Sequence, residues 1–315
     1  MEAKTKFGIL DGVERANYYP DGSLKDCILN KENIVFAQCG PLIPQYGEEN
    51  IRRKYTKSIS FYPDGNLKSV SLESQTEIST PIGEMPAELV TFYNTGEVKR
   101  VFPTNGKISG CWSEEDERNF NIPLNFSFDF AAFTAMLNGI CFYRSGAIKS
   151  LTLFPGEKIE IITPAGKIST KKGFSLYESG NLKSVEPDSP VKINTPIGAL
   201  EAYDPNAVGI CADSNSLCFN EDGSLASMLC ATNSIAVYPQ KEKPAFFTPL
   251  KVPSPLNPEE EILIPIKIDF MPEIVAISSD KAKTFKLNEC KFSIVKTPLA
   301  CSSSCADCSS CSICK

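Results

Sequence analysis

The chain has 315 residues, 42% apolar and 22% charged, with 32 basic against 38 acidic side chains and no histidine. The length allows one large β domain or two smaller ones, and a net charge of −6 argues against nucleic acid as the main partner, because phosphate binding needs clustered lysine and arginine. Without histidine, Ser-His-Asp and Cys-His catalysis are excluded, and the commonest general base and imidazole metal ligand are missing. No run of 18 apolar residues is present, so no transmembrane segment is expected. The first twenty residues carry no apolar signal-peptide core, which predicts no secretory signal and a cytoplasmic location. The 13 cysteines are then expected as reduced thiols, and their odd number fits poorly with a fully paired disulfide framework.

The first predicted element is "YYPDGSLKDC" at Tyr18–Cys27, and the phrase returns along the chain as "FYPDGNLKSV", "FYNTGEVKRV", "FYRSGAIKSL", "LYESGNLKSV" and "FNEDGSLASM". Anchored on Gly22, Gly65, Gly106, Gly146, Gly180 and Gly223, the copies lie 34 to 43 residues apart, with Gly96 as an extra copy. Four residues before each glycine stands an aromatic or leucine (Tyr18, Phe61, Phe92, Phe102, Phe142, Leu176, Phe219), and two after it an aliphatic (Leu24, Leu67, Val98, Ile108, Ile148, Leu182, Leu225). Period-two alternation around a turn glycine predicts a β-hairpin, with Phe61 facing one way and Ser60 and Tyr62 the other. A second phrase, "ISTPIG", "IITPAG" and "INTPIG", ends at Gly83, Gly166 and Gly198, and Gly40 occupies the equivalent place early in the chain. The unit is therefore about four short strands per forty residues, and one unit cannot bury its apolar face without a neighbour.

Between the copies, "SEEDER" at 113–118 reads as a solvated charged loop. "NIPLNFSFDF" at 121–130 and "LIPIKIDFM" at 263–271 alternate cleanly and read as longer strands that close or cap the array. Five prolines between Tyr238 and Asn257 predict an extended linker or clamp. The expected organisation is a hairpin-repeat domain over 1–240, a proline-rich linker over 241–258, closing strands over 259–298 and a cysteine-rich tail over 299–315. The predicted fold is all-β, about six stacked hairpin units forming an elongated or curved sheet, with a β-propeller as the rival.

The repeated "FYPDGNLKS", "FYRSGAIKS" and "LYESGNLKS" resemble the MORN-type repeat, in the variant seen in bacterial antitoxin-like proteins, over roughly residues 17–230. The chain departs from the better-known pattern in lacking its Gly-x-Trp/Tyr step and in having a longer unit. The resemblance implies a row of hairpins that contacts protein or lipid and carries no catalysis. The "TPIG" phrase resembles only uncharacterised bacterial proteins.

Two sets of residues are candidate sites. Tyr19, Tyr62, Tyr93, Tyr143 and Tyr177 each precede a turn glycine by three, and Lys25, Lys68, Lys99, Lys149 and Lys183 follow by three. Such a ladder could bind a protein, a polymer, a glycan or a lipid headgroup, or it could simply cover the outer face of the sheet. At the C-terminus, Cys301, Cys305, Cys308, Cys311 and Cys314 form C-x3-C-x2-C-x2-C-x2-C. Thiolates so spaced can converge on zinc, copper(I) or an iron–sulfur cluster. A disordered thiol tail and a disulfide knot are the other readings. The C-x2-C-x2-C part resembles the bacterial ferredoxin run but lacks its x3-C-P continuation, and C-x3-C-x2-C has the spacing of the radical-SAM motif without other signs of that enzyme. The remaining cysteines are expected in the core. No catalytic constellation stands out, so the functional expectation is a non-catalytic scaffold, or alternatively an iron–sulfur or zinc protein whose tail does the work.

Overall fold

A computed structural model gives the fold and describes residues 1–53, 57–207, 215–255, 257 and 259–297. The described chain is all-β apart from two short helical segments. It divides into two compact units. The first comprises Met1–Ile159 and Lys172–Asn181, and the second Glu160–Lys171, 182–207 and 215–297.

In the first unit, nine strands pair side by side in chain order: Val13–Tyr18, Leu24–Leu29, Ile59–Phe61, Leu67–Thr80, Gly83–Phe92, Val98–Phe102, Leu137–Phe142, Ile148–Leu153 and Gly173–Leu176. The second unit orders Leu182–Val185, Leu217–Phe219, Leu225–Cys230, Ile266–Phe270, Ile274–Ser278 and Ala282–Lys286 in the same way. These are antiparallel meanders of hairpins, as expected for stacked units, and nine consecutive strands in one ladder do not make the separate four-stranded blades of a propeller.

The repeated phrase forms the hairpin turns. Gly22, Gly65, Gly96, Gly146, Gly180 and Gly223 all have φ between +81° and +102°. At each, the glycine N–H donates to the carbonyl three residues back, as Gly65 does to Tyr62 at 2.8 Å. The Tyr62 N–H donates in turn to the Asn66 carbonyl, also at 2.8 Å. A register shift beside the turn, between Ser60 and Phe61, completes a bulged hairpin. Gly106 is not one of these turns: it lacks the left-handed conformation, and Gly96 is the true third copy. The Gly106 N–H instead donates to Glu117 at 2.7 Å, and a Cβ there would lie 1.9 Å from the Glu117 carboxylate.

The "TPxG" phrase closes smaller hairpins set between the repeat hairpins: Ile159–Thr163 with Gly166–Thr170, Val191–Thr195 with Gly198–Ala202, and the outer part of Leu67–Thr80 with Gly83–Phe92. Thr80, Thr163 and Thr195 donate their hydroxyls to the carbonyls of Gly83, Gly166 and Gly198 at 2.6–2.8 Å. Thr5 does the same to Gly8, so a further copy stands at the start of the chain. Each inserted hairpin buries one side: Val35 and Leu42, Ile78 and Met85, Ile161 and Ile168, Ile193 and Leu200. Their tips reach turn glycines of later repeat hairpins. A Cβ on Gly65, Gly96 or Gly146 would lie 3.5, 3.0 or 3.0 Å from Lys6, Gln38 or Pro81 in the first unit. In the second unit a Cβ on Gly223 would lie 3.4 Å from Pro164. The missing side chain at these turns makes room for the second layer as well as for the turn itself.

The core lies on the phenylalanine side of the meander, where Phe61, Phe92, Phe142, Leu176 and Phe219 are at most 2% exposed. Tyr18, in the end strand, is the exception at 58%. Residues 121–130 do not cap the array: Leu124–Phe128 pairs with Ala131–Ala135 as an inserted hairpin. Phe128, Phe130 and Phe133 stand edge-on to Phe174, with centroids 5.3–6.3 Å apart. Residues 263–271 split, with Glu261–Ile264 pairing with Leu250–Pro253 while Ile266–Phe270 extends the meander beside Leu225–Cys230. The proline-rich stretch contributes Leu250–Pro253 and also Ala245–Phe247, which joins Asn233–Pro239 and Cys290–Lys296 in a three-stranded sheet. "SEEDER" is not a solvated loop. Glu114–Arg118 is a short α-helix capped by Ser113 and Asp116, and it buries Glu117.

Candidate functional site

The tyrosine column forms a real row. Tyr19, Tyr62, Tyr93 and Tyr143 are half-buried on the face opposite the phenylalanines. Their hydroxyls donate to the carbonyls of Phe61, Phe92, Phe142 and Leu176 at 3.0, 2.9, 2.8 and 3.0 Å. Each tyrosine thus bonds the next repeat hairpin at the carbonyl of its core aromatic or leucine. Tyr177, also half-buried, holds the same place in its own turn, accepting from the Gly180 N–H at 3.0 Å. Over the rings stand the lysines: Lys25 over Tyr19 at 5.7 Å, Lys68 over Tyr62 at 5.8 Å, Lys99 over Tyr93 at 5.5 Å and Lys149 over Tyr143 at 6.0 Å. Arg144 reaches the Tyr93 ring from the following turn, at 5.2 Å. Burial pushes the Tyr93 phenol up.

Tyr93→Phe should cost about 1 kcal/mol, the net value of one such hydrogen bond. Tyr19→Phe should cost a similar amount, and the two should nearly add, since they bond different hairpins and share no partner. Urea unfolding of the single and double variants checks this, and unchanged midpoints would show the hydroxyls to be idle.

A small polar row runs beside the tyrosines. Register pairs Asn17, Asp26, Ser60, Ser69, Thr91, Arg100, Cys141, Ser150 and Ser175 in succession across the first unit. The second unit repeats it as Ser184, Cys218, Ser227 and Asp269. These residues lie five before or four after each turn glycine, apart from Asp269, which belongs to no copy. Asp26, Ser60, Cys141, Ser150, Ser175 and Ser184 are buried. Burial works against the Asp26 carboxylate, but Lys57 at 2.8 Å and Asn17 at 2.7 Å outweigh it and hold its pKa below the usual range.

Three further clusters escaped sequence reasoning. In the first unit, buried Arg52 makes two bidentate pairs, with Glu88 at 2.9 and 2.7 Å and with Glu117 at 2.8 and 2.9 Å. Glu88 also accepts the Asn105 N–H, and Glu117 accepts Gly106 N–H and Trp112 Nε1–H. Burial disfavours the charged Glu117, yet these bonds keep its pKa below normal. Every acceptor here is occupied by a donor of the fold, so the cluster reads as structural. In the second unit, Glu186 is buried with no cation paired to it among the described residues. It accepts Ser216 N–H and Oγ–H, both at 2.7 Å, and burial pushes its pKa up to about 7. Also in the second unit, a cavity of about 470 Å³ is lined by Lys192, Ile197, Glu201, Asn233, Phe292 and Ile294.

Glu186 makes a pH prediction. Its pKa is raised in the folded state, so its own contribution to stability is greatest in acid and falls as pH rises from about 4.5 through about 7. The loss by pH 8 is about 3 kcal/mol at 1.36 kcal/mol per unit. Glu186→Gln should recover part of that at pH 8 and little at pH 4: its amide can donate to Ser216 Oγ while its oxygen accepts the Ser216 N–H, but the Asp204 N–H, 3.4 Å from the replaced oxygen, loses its acceptor. Thermal melts at both pH values read it, and an equal shift at both would contradict it.

Cys27, Cys39, Cys141 and Cys230 are buried free thiols, Cys218 and Cys290 are half-buried, and Cys111 is exposed. Burial pushes Cys27 up to about 12 and Cys39 up to about 11, far from a reactive thiolate. The five expected metal ligands, Cys301, Cys305, Cys308, Cys311 and Cys314, lie outside the described residues. Among the described residues no three cysteine, aspartate or glutamate side chains converge closely enough to hold a metal ion. No helix among them is long and apolar enough to cross a membrane. Comparison with protein-family models and with curated proteins returns no match.

Proposed function

We propose that the chain is a non-catalytic repeat scaffold of MORN-like type that binds a protein or another macromolecule, nucleic acid excepted, across the tyrosine–lysine face of its hairpins. The observation that carries this reading is the fourfold presentation of one Tyr–Lys pair in the first unit, at Tyr19, Tyr62, Tyr93 and Tyr143. Repetition alone propagates structural residues, and the tyrosine hydroxyls are spent on the fold; the lysine amines are the part left to a partner. The carboxylates of the Arg52 cluster and of Glu186 are taken up by donors of the fold. The test is capture from source-cell lysate on immobilised full chain, followed by amide-exchange mapping. A saturable macromolecule that protects strands carrying Lys25, Lys68, Lys99 and Lys149 supports the reading, and a lysate with no saturable ligand overturns it.

A second reading rests on the spacing of the five terminal cysteines. It makes the tail an iron–sulfur or zinc site that serves redox or metal delivery, with the β units as its docking body, in a cytoplasm that keeps thiols reduced. Iron, zinc and sulfide per chain, measured after anaerobic purification without chelator, test it. Iron with sulfide favours a cluster, zinc alone a thiolate site, and five free thiols without metal end the reading.

A further inference from the structure

We propose that the tyrosine–lysine face of the first unit docks an extended acidic peptide segment with a carboxylate at every third residue. The inference rests on the scaffold reading and gives its partner a chemistry. Lys25, Lys68, Lys99 and Lys149 lie in one row, each two strands from the next in the sheet order. Neighbouring strands are about 4.8 Å apart, so the amines recur about every 10 Å. A polyproline II segment has three residues per turn and rises about 3.1 Å per residue, so every third side chain falls on one face about 9 Å from the last. The two periods nearly coincide over four sites.

Charge selects the acid. Arg100 and Arg144 add to the four lysines on this face. Asp26 shares the row, but it is buried and neutralised by Lys57. The turn carboxylates Asp21, Asp64 and Glu97 sit at the hairpin ends and fold back on Ser23, Asn66 and Thr95. The face is therefore basic within a chain of net charge −6. Each half-buried tyrosine ring carries its lysine over it, so the rings set the lysine positions along the row. A nucleic-acid strand would match the same period, since its phosphates follow one another about every 3.4 Å and every third recurs about every 10 Å; the net charge of −6 weighs against it, and the test includes an oligonucleotide.

The experiment uses the full chain and a fluorescein-labelled peptide of six Glu-Pro-Pro triplets, read by anisotropy. The expected result is saturable binding that weakens at least tenfold between about 50 and about 200 mM salt. Lys25→Gln, Lys68→Gln, Lys99→Gln and Lys149→Gln combined should weaken it at least tenfold while the variant still unfolds cooperatively, its thermal midpoint lowered only by the four lost cation–π contacts. Lys167→Gln, Lys251→Gln and Lys283→Gln, all in the second unit, should leave it unchanged. No saturable binding at low salt, full binding by the fourfold variant, or tighter binding of a single-stranded oligonucleotide than of the peptide would each overturn the proposal. The scaffold reading is judged separately: a lysate partner that still binds the fourfold variant leaves the scaffold standing and removes this face.

Discussion

Arg52→Ala is expected to destabilise the first unit by about 3–5 kcal/mol, the cost of stripping a buried ion-pair cluster of one partner. Arg52 sits between Glu88 and Glu117, whose side chains are each 4% exposed, and its guanidinium lies 4.3 Å over the Phe120 ring. Removing it leaves two buried carboxylates facing each other with, among the described residues, Arg53 at 3.8 Å from Glu88 as the remaining paired cation. Arg52→Lys should recover little, because one ammonium cannot fork to two carboxylates. The same cluster predicts acid sensitivity: protonation of Glu117, whose pKa is held below normal, removes stability as pH falls through that lowered value. Urea unfolding at neutral pH measures the variant, and a loss below about 1 kcal/mol would mean the cluster is open to water, as surface pairs are.

Phe92→Ala is expected to cost about 3–5 kcal/mol. Phe92 is 1% exposed at the core position of the Gly96 hairpin, and its loss opens a cavity between the meander and the inserted hairpins. The effect should greatly exceed that of Tyr62→Phe, although Tyr62 bonds the Phe92 carbonyl. The comparison separates the two faces of one strand, the apolar core on one side and a single hydrogen bond on the other. Ile108→Ala should cost little, because Ile108 is 53% exposed and the Gly106 phrase makes no repeat hairpin. Equal losses for Phe92→Ala and Ile108→Ala would place Gly106 back among the repeat turns.

The repeat was legible because its determinants are local. A turn glycine, an aromatic or leucine four residues before it and an aliphatic two after it suffice to read five of the six hairpins at their anchors. What failed needed residues distant in sequence. Gly106 and Gly96 satisfy the same local pattern, and they are separated by Glu117 and by Arg52, which lies 65 residues from Glu117. The charged run at 113–118 looked solvated for the same reason: the cation that buries Glu117 is far away in the chain. The hairpin at Thr5–Gly8 was missed because Lys6 and Phe7 replace the Pro-Ile or Pro-Ala of the other threonine-led copies, while the threonine hydroxyl that shapes the turn is the same. The tyrosine column was visible as a pattern. That its hydroxyls bind the following hairpin follows only from the strand register. The polar row was written in the sequence too, five before and four after each glycine, but its residue types vary and only the pairing aligns them.

The most direct test of the scaffold account is partner capture by two forms of the protein, the full chain and a chain ending at Thr297. The account predicts the same macromolecule, bound with the same affinity, by both forms, because the binding face lies on the hairpins of the first unit. Loss of the partner with the terminal cysteines would contradict it and move the function to the tail.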